Sequence, residues 1–218
     1  MSLSETRLLA VAGPPMVELG ALTDACNAAA AGGVTAVQLR IKDVAAGRLL
    51  ELTQQLVEAL PIPVWVNDRA DVALAAGARG VHVGADDIPA DAVRRFAGEE
   101  LRVGVSVGSP AEADAALRAD VDYWSIGSIW ATSTKPDAGA PIGATGFRKL
   151  AALAPEGMRV IAIGGITAGN AAEIIAAGAQ GIAVSSAVFA APDIEAAARV
   201  LRAAVDSALV QPPPERTS

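Results

Sequence analysis

Ala76–Gly77–Ala78–Arg79–Gly80–Val81 returns almost unchanged as Ala177–Gly178–Ala179–Gln180–Gly181–Ile182. Each copy reads as a helix end, a glycine stop and the first residues of a strand. Working outward from these joints, short apolar runs alternate with longer alanine-rich stretches of helical character. The runs are Leu8–Ala12, Ala36–Leu39, Val64–Val66, Gly80–Val83, Val103–Ser106, Tyr123–Ile126, Val160–Ile163 and Gly181–Ser185. Helices are expected at about 17–32, 45–60, 69–77, 89–97, 110–119, 145–153, 168–177 and 192–208. Strict alternation implies parallel strands joined by right-handed crossovers. A doubly wound open sheet is the structural rival. Polar residues gather after many different strands, and no unit carries a GxGxxG turn, so the pattern favours a closed (β/α)8 TIM barrel. No linker or charge block divides the chain. Residues 1–210 read as one α/β barrel domain, and 211–218, with three consecutive prolines, as a frayed tail.

Composition narrows the function classes. Of 218 residues, 52% are hydrophobic, enough for a large core built mainly from Ala, Val, Ile and Leu. The net charge of −7 argues against nucleic-acid partners, because phosphate neutralisation needs clustered Lys and Arg. Cys26 is the single cysteine, so neither an internal disulfide nor a cysteine metal cage forms. No stretch reads as a signal peptide or a membrane span. The expected location is therefore cytoplasmic, without a membrane partner. The sequence leaves a homo-oligomer open.

The candidate chemistry lies at strand ends. In Gln38–Leu39–Arg40–Ile41–Lys42 the alternation of a strand puts Gln38, Arg40 and Lys42 on one face, toward the barrel mouth. Two cations and an amide there suit a diphosphate, Arg as a fork and Lys as a point charge. They also fit an ordinary polar strand end. Asn67 and Asp68 follow the third strand and alone would pass for helix caps. Asp87 follows the fourth strand, so two carboxylates stand at the same end of adjacent strands. Such a pair suits Mg2+, a hard ion that takes oxygen ligands. Asp86 and Asp91 read as solvated or capping residues. His82, the only histidine, reads as packed and hydrogen-bonded. A multi-histidine metal site is excluded, and no GxSxG motif supports a triad.

Ser106 ends the fifth strand. After the sixth runs Gly127–Ser128–Ile129–Trp130–Ala131–Thr132–Ser133–Thr134–Lys135–Pro136, with hydroxyls and a lysine close enough to fold over an anion. A mobile lid over Trp130–Gly139 is a further expectation. Gly164–Gly165–Ile166–Thr167 and Ser185–Ser186 follow the seventh and eighth strands, where barrels often bind phosphate on backbone N–H groups.

Taken together these pieces resemble the thiamine-phosphate synthase family. They are Gln-Leu-Arg-x-Lys at 38–42, Asn-Asp-Arg at 67–69, Gly-Val-His-x-Gly at 80–84 with Asp87, Gly-Val-Ser at 104–106, Thr-x-Thr-Lys at 132–135 and Gly-Gly-Ile-Thr at 164–167. The likeness spans about Val34 to Phe189. It implies a transferase that joins hydroxymethylpyrimidine diphosphate to a thiazole phosphate and releases diphosphate, with one Mg2+ per site. It implies that Gln38, Arg40, Lys42, Asn67 and Lys135 hold the pyrimidine diphosphate, with Leu39 and Ile41 in the same binding segment. Asp68 and Asp87 would ligate Mg2+, and Ser106 would touch the pyrimidine. Thr132, Ser133, Thr134, Gly165, Ser185 and Ser186 would surround the thiazole phosphate. The catalytic set would be Arg40, Lys42, Ser106 and Lys135. Ala85, Gly108, Ser128, Trp130 and Ser185 depart from the family pattern. The rival functions are a thiazole tautomerase of the same fold, a sugar-phosphate isomerase or epimerase, and a non-catalytic binder of phosphorylated thiamine precursors.

Overall fold

In the computed structural model, which describes residues 5–14, 19–132, 134 and 139–210, the strands close on themselves in chain order. The strands are β1 (Leu8–Ala12), β2 (Ala36–Leu39), β3 (Val64–Asn67), β4 (Gly80–Val83), β5 (Arg102–Val107), β6 (Tyr123–Ile126), β7 (Arg159–Ile163) and β8 (Ile182–Val184). All are parallel, and β8 returns to β1 through Leu9↔Ala183. The helices are α1 (Leu22–Ala31), α2 (Ala46–Ala59), α3 (Ala70–Ala75), α4 (Ala90–Ala97), α5 (Pro110–Leu117), α6 (Gly143–Ala151), α7 (Ala171–Ala176), α8 (Ser186–Phe189) and α9 (Ile194–Val210).

Strand alternation divides the apolar residues into two cores. Val37, Val66, Val81, Val103, Trp124 and Ile182 face outward and pack beneath the helices. Leu9, Ala36, Trp65, Tyr123, Ile161 and Ala183 fill the barrel itself. Two large rings enter that narrow space because their neighbours are glycines. A Cβ on Gly80 would lie 2.6 Å from the Trp65 ring, and one on Gly104 would lie 2.2 Å from the Tyr123 ring. Trp65 and Tyr123 meet edge to face with centroids 5.2 Å apart. Thus the glycines of Gly-Val-His and Gly-Val-Ser make room for the aromatics that fill the interior.

The strands fall where the apolar runs lie, with local corrections. β3 includes Asn67, which pairs with His82, and the Asp68 N–H continues the ladder to the His82 carbonyl at 2.8 Å. The first helix starts at Leu22, after a 3-10 turn at Leu19–Ala21. α6 starts at Gly143 and α7 at Ala171. The short α8 between β8 and α9 has no counterpart among the expected helices. The tail at 211–218 lies outside the described residues.

Candidate active site

A cleft of about 830 Å³ opens at the C-terminal ends of the strands. Its walls include Arg40, Gly84, Ser106, Thr132, Gly165 and Ser185, drawn from the residue after β2, from β5 and from the loops after β4, β6, β7 and β8. Parallel strands of one closed sheet deliver all their C-terminal ends to one face, so residues far apart in sequence share one mouth.

Beside the cleft, the ends of β2, β3 and β4 carry a polar chain. Gln38 is buried and donates from Nε2 to Asn67 Oδ1 at 2.8 Å. Asn67 Nδ2 donates in turn to the Asp68 carboxylate. Asp68 occupies left-handed backbone at φ 66°, a region that Asp and Asn tolerate better than other non-glycine residues. This turn aims its carboxyl group at Asp87. Asp87 is fixed from behind, its Oδ2 accepting from the Gly84 N–H at 2.7 Å. Burial, and then the Asp87 carboxyl, push Asp68 up to about 6, against the opposing pull of Asn67 and Lys42. Two carboxylates sharing one site resist joint ionisation, and a proton or a cation relieves them.

Of the anticipated diphosphate and metal residues, Gln38, Asn67, Asp68 and Asp87 therefore come together, with Lys42 close enough to act on Asp68. Arg40 borders the cleft. Lys135 and Ser133 lie outside the described residues, as does half of the expected lid. Leu39 is fully buried in the outer core, because strand alternation turns its side chain toward the helices and away from the mouth. It does not offer a side-chain contact to a ligand. Ile41 is half-buried and packs against the same core.

The opposite wall is built from glycine and hydroxyl groups. Gly164 and Gly165 both have positive φ, 102° and 66°. A Cβ on Gly164 would lie 2.3 Å from Ser128 Oγ, and one on Gly165 would lie 2.7 Å from the Ala131 carbonyl. Only glycine lets the β7 loop approach the β6 loop this closely. Ile129 and Trp130 donate their N–H groups to the carbonyls of Ile163 and Gly164, both at 3.0 Å. Trp130 packs against the core, which accounts for a tryptophan in this loop. Asn170 reaches back and donates to the Gly165 carbonyl at 3.0 Å, while its Oδ1 accepts from the Thr167 N–H at 2.8 Å. Thr132 Oγ1 accepts from the Thr134 N–H at 3.2 Å. Ser185 and Ser186 begin α8, with Ser186 exposed on the cleft.

Sequence reasoning missed several lining residues. Ser125 is buried at the foot of the cleft, in register with Ser106. Ser109 and Glu112 line the α5 side, and Glu112 accepts from the Gly108 N–H. Asp86, read as merely solvated, also borders the cleft. Serines inside an apolar strand give no signal until barrel closure decides which parity faces inward. His82 fits its expected packed role: Nδ1 lies 2.9 Å from the Tyr123 hydroxyl and Nε2 3.0 Å from Ser106 Oγ.

Fold and site together define a parallel-barrel enzyme with a ligand cleft at the strand C-termini. The family model for thiamine monophosphate synthase matches residues 8–188, and the chain belongs to that family of transferases. A thiamine-phosphate synthase of Roseiflexus sp. (strain RS-1) is 49% identical over 87% of this chain and 80% of its own. One from Moorella thermoacetica is 44% identical over 90% of this chain and 91% of its own. The solved thiamine phosphate pyrophosphorylase from Pyrococcus furiosus superposes with a TM-score of 0.84 at 34% identity, covering 95% of this chain and 98% of that one. A 3-hexulose-6-phosphate synthase from Salmonella typhimurium, at 17% identity and a TM-score of 0.73, shares the fold. Among the described residues no helix is long and apolar enough to cross a membrane.

Proposed function

We propose that this cleft couples hydroxymethylpyrimidine diphosphate to a thiazole phosphate, giving thiamine phosphate and diphosphate. The observation that carries the reading is the division of the mouth into two anion-receiving walls. One wall is charged and stands at the ends of β2 to β4: Arg40, Lys42, Asp68 and Asp87. The other is neutral and rich in N–H and hydroxyl groups, at the loops after β6 to β8. A diphosphate suits the first wall, where cations meet a carboxylate pair. A phosphate monoester suits the second, where backbone N–H groups and serine hydroxyls offer hydrogen bonds without charge.

The Asp68–Asp87 pair fits Mg2+. Both are oxygen donors, one oriented by Asn67 and the other by the Gly84 N–H, and their mutual repulsion leaves them short of positive charge. Among the described residues no third His, Cys, Asp or Glu joins them. Water and substrate phosphate oxygens would complete the shell, as is usual for this ion. When bound, the ion supplies charge stabilisation to the departing diphosphate.

The chain's own residues do the rest. Arg40 and Lys42 stabilise charge building on the diphosphate as the carbon–oxygen bond breaks. Lys135, by its place in the Thr-x-Thr-Lys run, serves the same group. The pyrimidine briefly carries the resulting cation. Ser106 holds the ring, and the Gly164–Gly165 loop with Ser185 and Ser186 holds the thiazole so that its nitrogen can capture the carbon. No protein nucleophile is needed, which suits a site whose only histidine is packed behind it.

Purified protein given both substrates and Mg2+ should form thiamine phosphate and diphosphate, and EDTA should stop it. Tight binding of the pyrimidine diphosphate with no diphosphate release would overturn the proposal and leave a binding protein in its place.

A further inference from the structure

Three polar side chains run in line from the sealed barrel interior to the cleft. The Tyr123 hydroxyl lies 2.9 Å from His82 Nδ1, and His82 Nε2 lies 3.0 Å from Ser106 Oγ. Tyr123 is fully buried, His82 nearly so, and Ser106 lines the cleft. The tyrosine is held in place on several sides. Gly104 leaves its ring just enough room, Trp65 abuts it edge-on, and the His82 ring stacks on it at 5.6 Å with an interplanar angle of 29°.

A neutral imidazole permits two proton arrangements in this line. In the first, the Tyr123 O–H donates to Nδ1, Nε2–H donates to Ser106 Oγ, and the serine proton points into the cleft. In the second every bond reverses. Ser106 then donates to Nε2, Nδ1–H donates to the tyrosine oxygen, and the tyrosine proton must find another acceptor. The apolar side chains packed around Tyr123 are Leu9, Ala36, Trp65, Ile161 and Ala183, and none of them accepts a hydrogen bond. Gln38 and Ser125 are also buried on inward-facing strand positions, but among the described residues the Tyr123 hydroxyl makes its hydrogen bond to His82 Nδ1 and to neither of them. A buried donor left unpaired costs its full desolvation, whereas a hydroxyl oxygen with a spare lone pair is commonly tolerated. The interior therefore selects the first arrangement.

We infer that Tyr123 and His82 are positioning residues that fix Ser106 as a hydrogen-bond donor to the cleft, so that the site selects a substrate ring whose facing atom is an acceptor. A pyrimidine ring nitrogen is such an atom; a C–H at that place is not. The identity of the ring rests on the function proposed above, but the direction of the hydrogen bonds does not.

His82 is the only histidine, so isotopically labelled histidine yields a single imidazole in nitrogen NMR of the whole protein. The expected spectrum shows Nε2 protonated and Nδ1 bare. Protonated Nδ1 in the folded, ligand-free protein overturns the inference, whether or not the enzyme turns over. The second arm is kinetic. An analogue of the pyrimidine diphosphate with C–H in place of the ring nitrogen facing Ser106 should lose roughly tenfold or more in kcat/KM against the wild type. Ser106→Ala should erase most of that discrimination, and Tyr123→Phe should weaken it while leaving the KM for the thiazole phosphate unchanged. Equal discrimination in wild type and Ser106→Ala overturns the inference. If Tyr123→Phe does not fold, the wild-type spectrum and the Ser106→Ala comparison still decide. An enzyme with Nε2 protonated but no synthase activity would refute the proposed function alone.

Discussion

Asp68 sits in left-handed backbone, φ 66°, and faces Asp87, with its carboxyl pushed up to about 6 by burial and by that neighbour. An aspartate in an unfolded chain ionises near pH 4. Between those values the folded protein holds a proton that the unfolded chain has released. Stability therefore falls as pH rises through this window and stays lower above it. Asparagine accepts the same backbone and never ionises. In metal-free buffer Asp68→Asn should raise the denaturation midpoint at pH 8 and leave it nearly unchanged at pH 4, while turnover with Mg2+ drops by about 10²–10³-fold. An equal shift at both pH values would remove carboxylate repulsion as the cause. Gly104 makes the complementary case, a residue whose value is the atom it lacks. Gly104→Ala would drive a methyl into the Tyr123 ring, and overpacking of this kind costs about 1–3 kcal/mol, measurable by urea denaturation. Unaltered stability would mean that the interior can yield at β5.

At the scale of elements, the loop after β7 is shaped by one side chain beyond it. Asn170 ties the Gly165 carbonyl and the Thr167 N–H together, setting the direction of the N–H groups that face the proposed thiazole phosphate. Asn170→Ala should raise the KM for the thiazole phosphate severalfold and leave the KM for the pyrimidine diphosphate alone; equal effects on both would show that the loop serves the whole mouth. The same turn explains why α7 starts at Ala171 and not near 168. Residues 167–170 are spent on side-chain capping of the backbone, which periodicity in an alanine-rich stretch does not distinguish from a helical turn. α8 was illegible for a related reason, since four residues show no period. The strands were legible because each is a short apolar run with a glycine or polar stop. Asp68 and Asp87 were legible as a pair because both follow adjacent strands of a parallel sheet. Ser125, Asp86 and Glu112 were not, because their place in the cleft depends on barrel closure and on the path of the loops.

For the whole molecule the decisive joint is where the ring closes. β8 pairs with β1, and α9 lies across α1 behind that seam. The approach is close: a Cβ on Gly32 would lie 2.3 Å from the Glu195 carbonyl. Arg7 reaches Asp206 at 3.0 Å. Arg202 bridges Asp206 at 2.7 Å and the Gly33 carbonyl at 3.1 Å. These partly exposed pairs position α9 more than they stabilise it. Beneath them, in α1, lies Cys26, fully buried, with a thiol that burial pushes up to about 12. A closed sheet has no edge strand from which to fray, so the thiol should become reactive only when α1 leaves the barrel. In native protein at pH 8 a thiol reagent should therefore react far more slowly than with a free cysteine, and the labelling rate should follow the global unfolding equilibrium as urea is added. Gly32→Ala, which forces α1 and α9 apart, should speed labelling below the unfolding transition. Rapid labelling of the unmodified protein in the absence of urea would show that α1 opens by itself, and that the barrel does not behave as one cooperative unit at this seam.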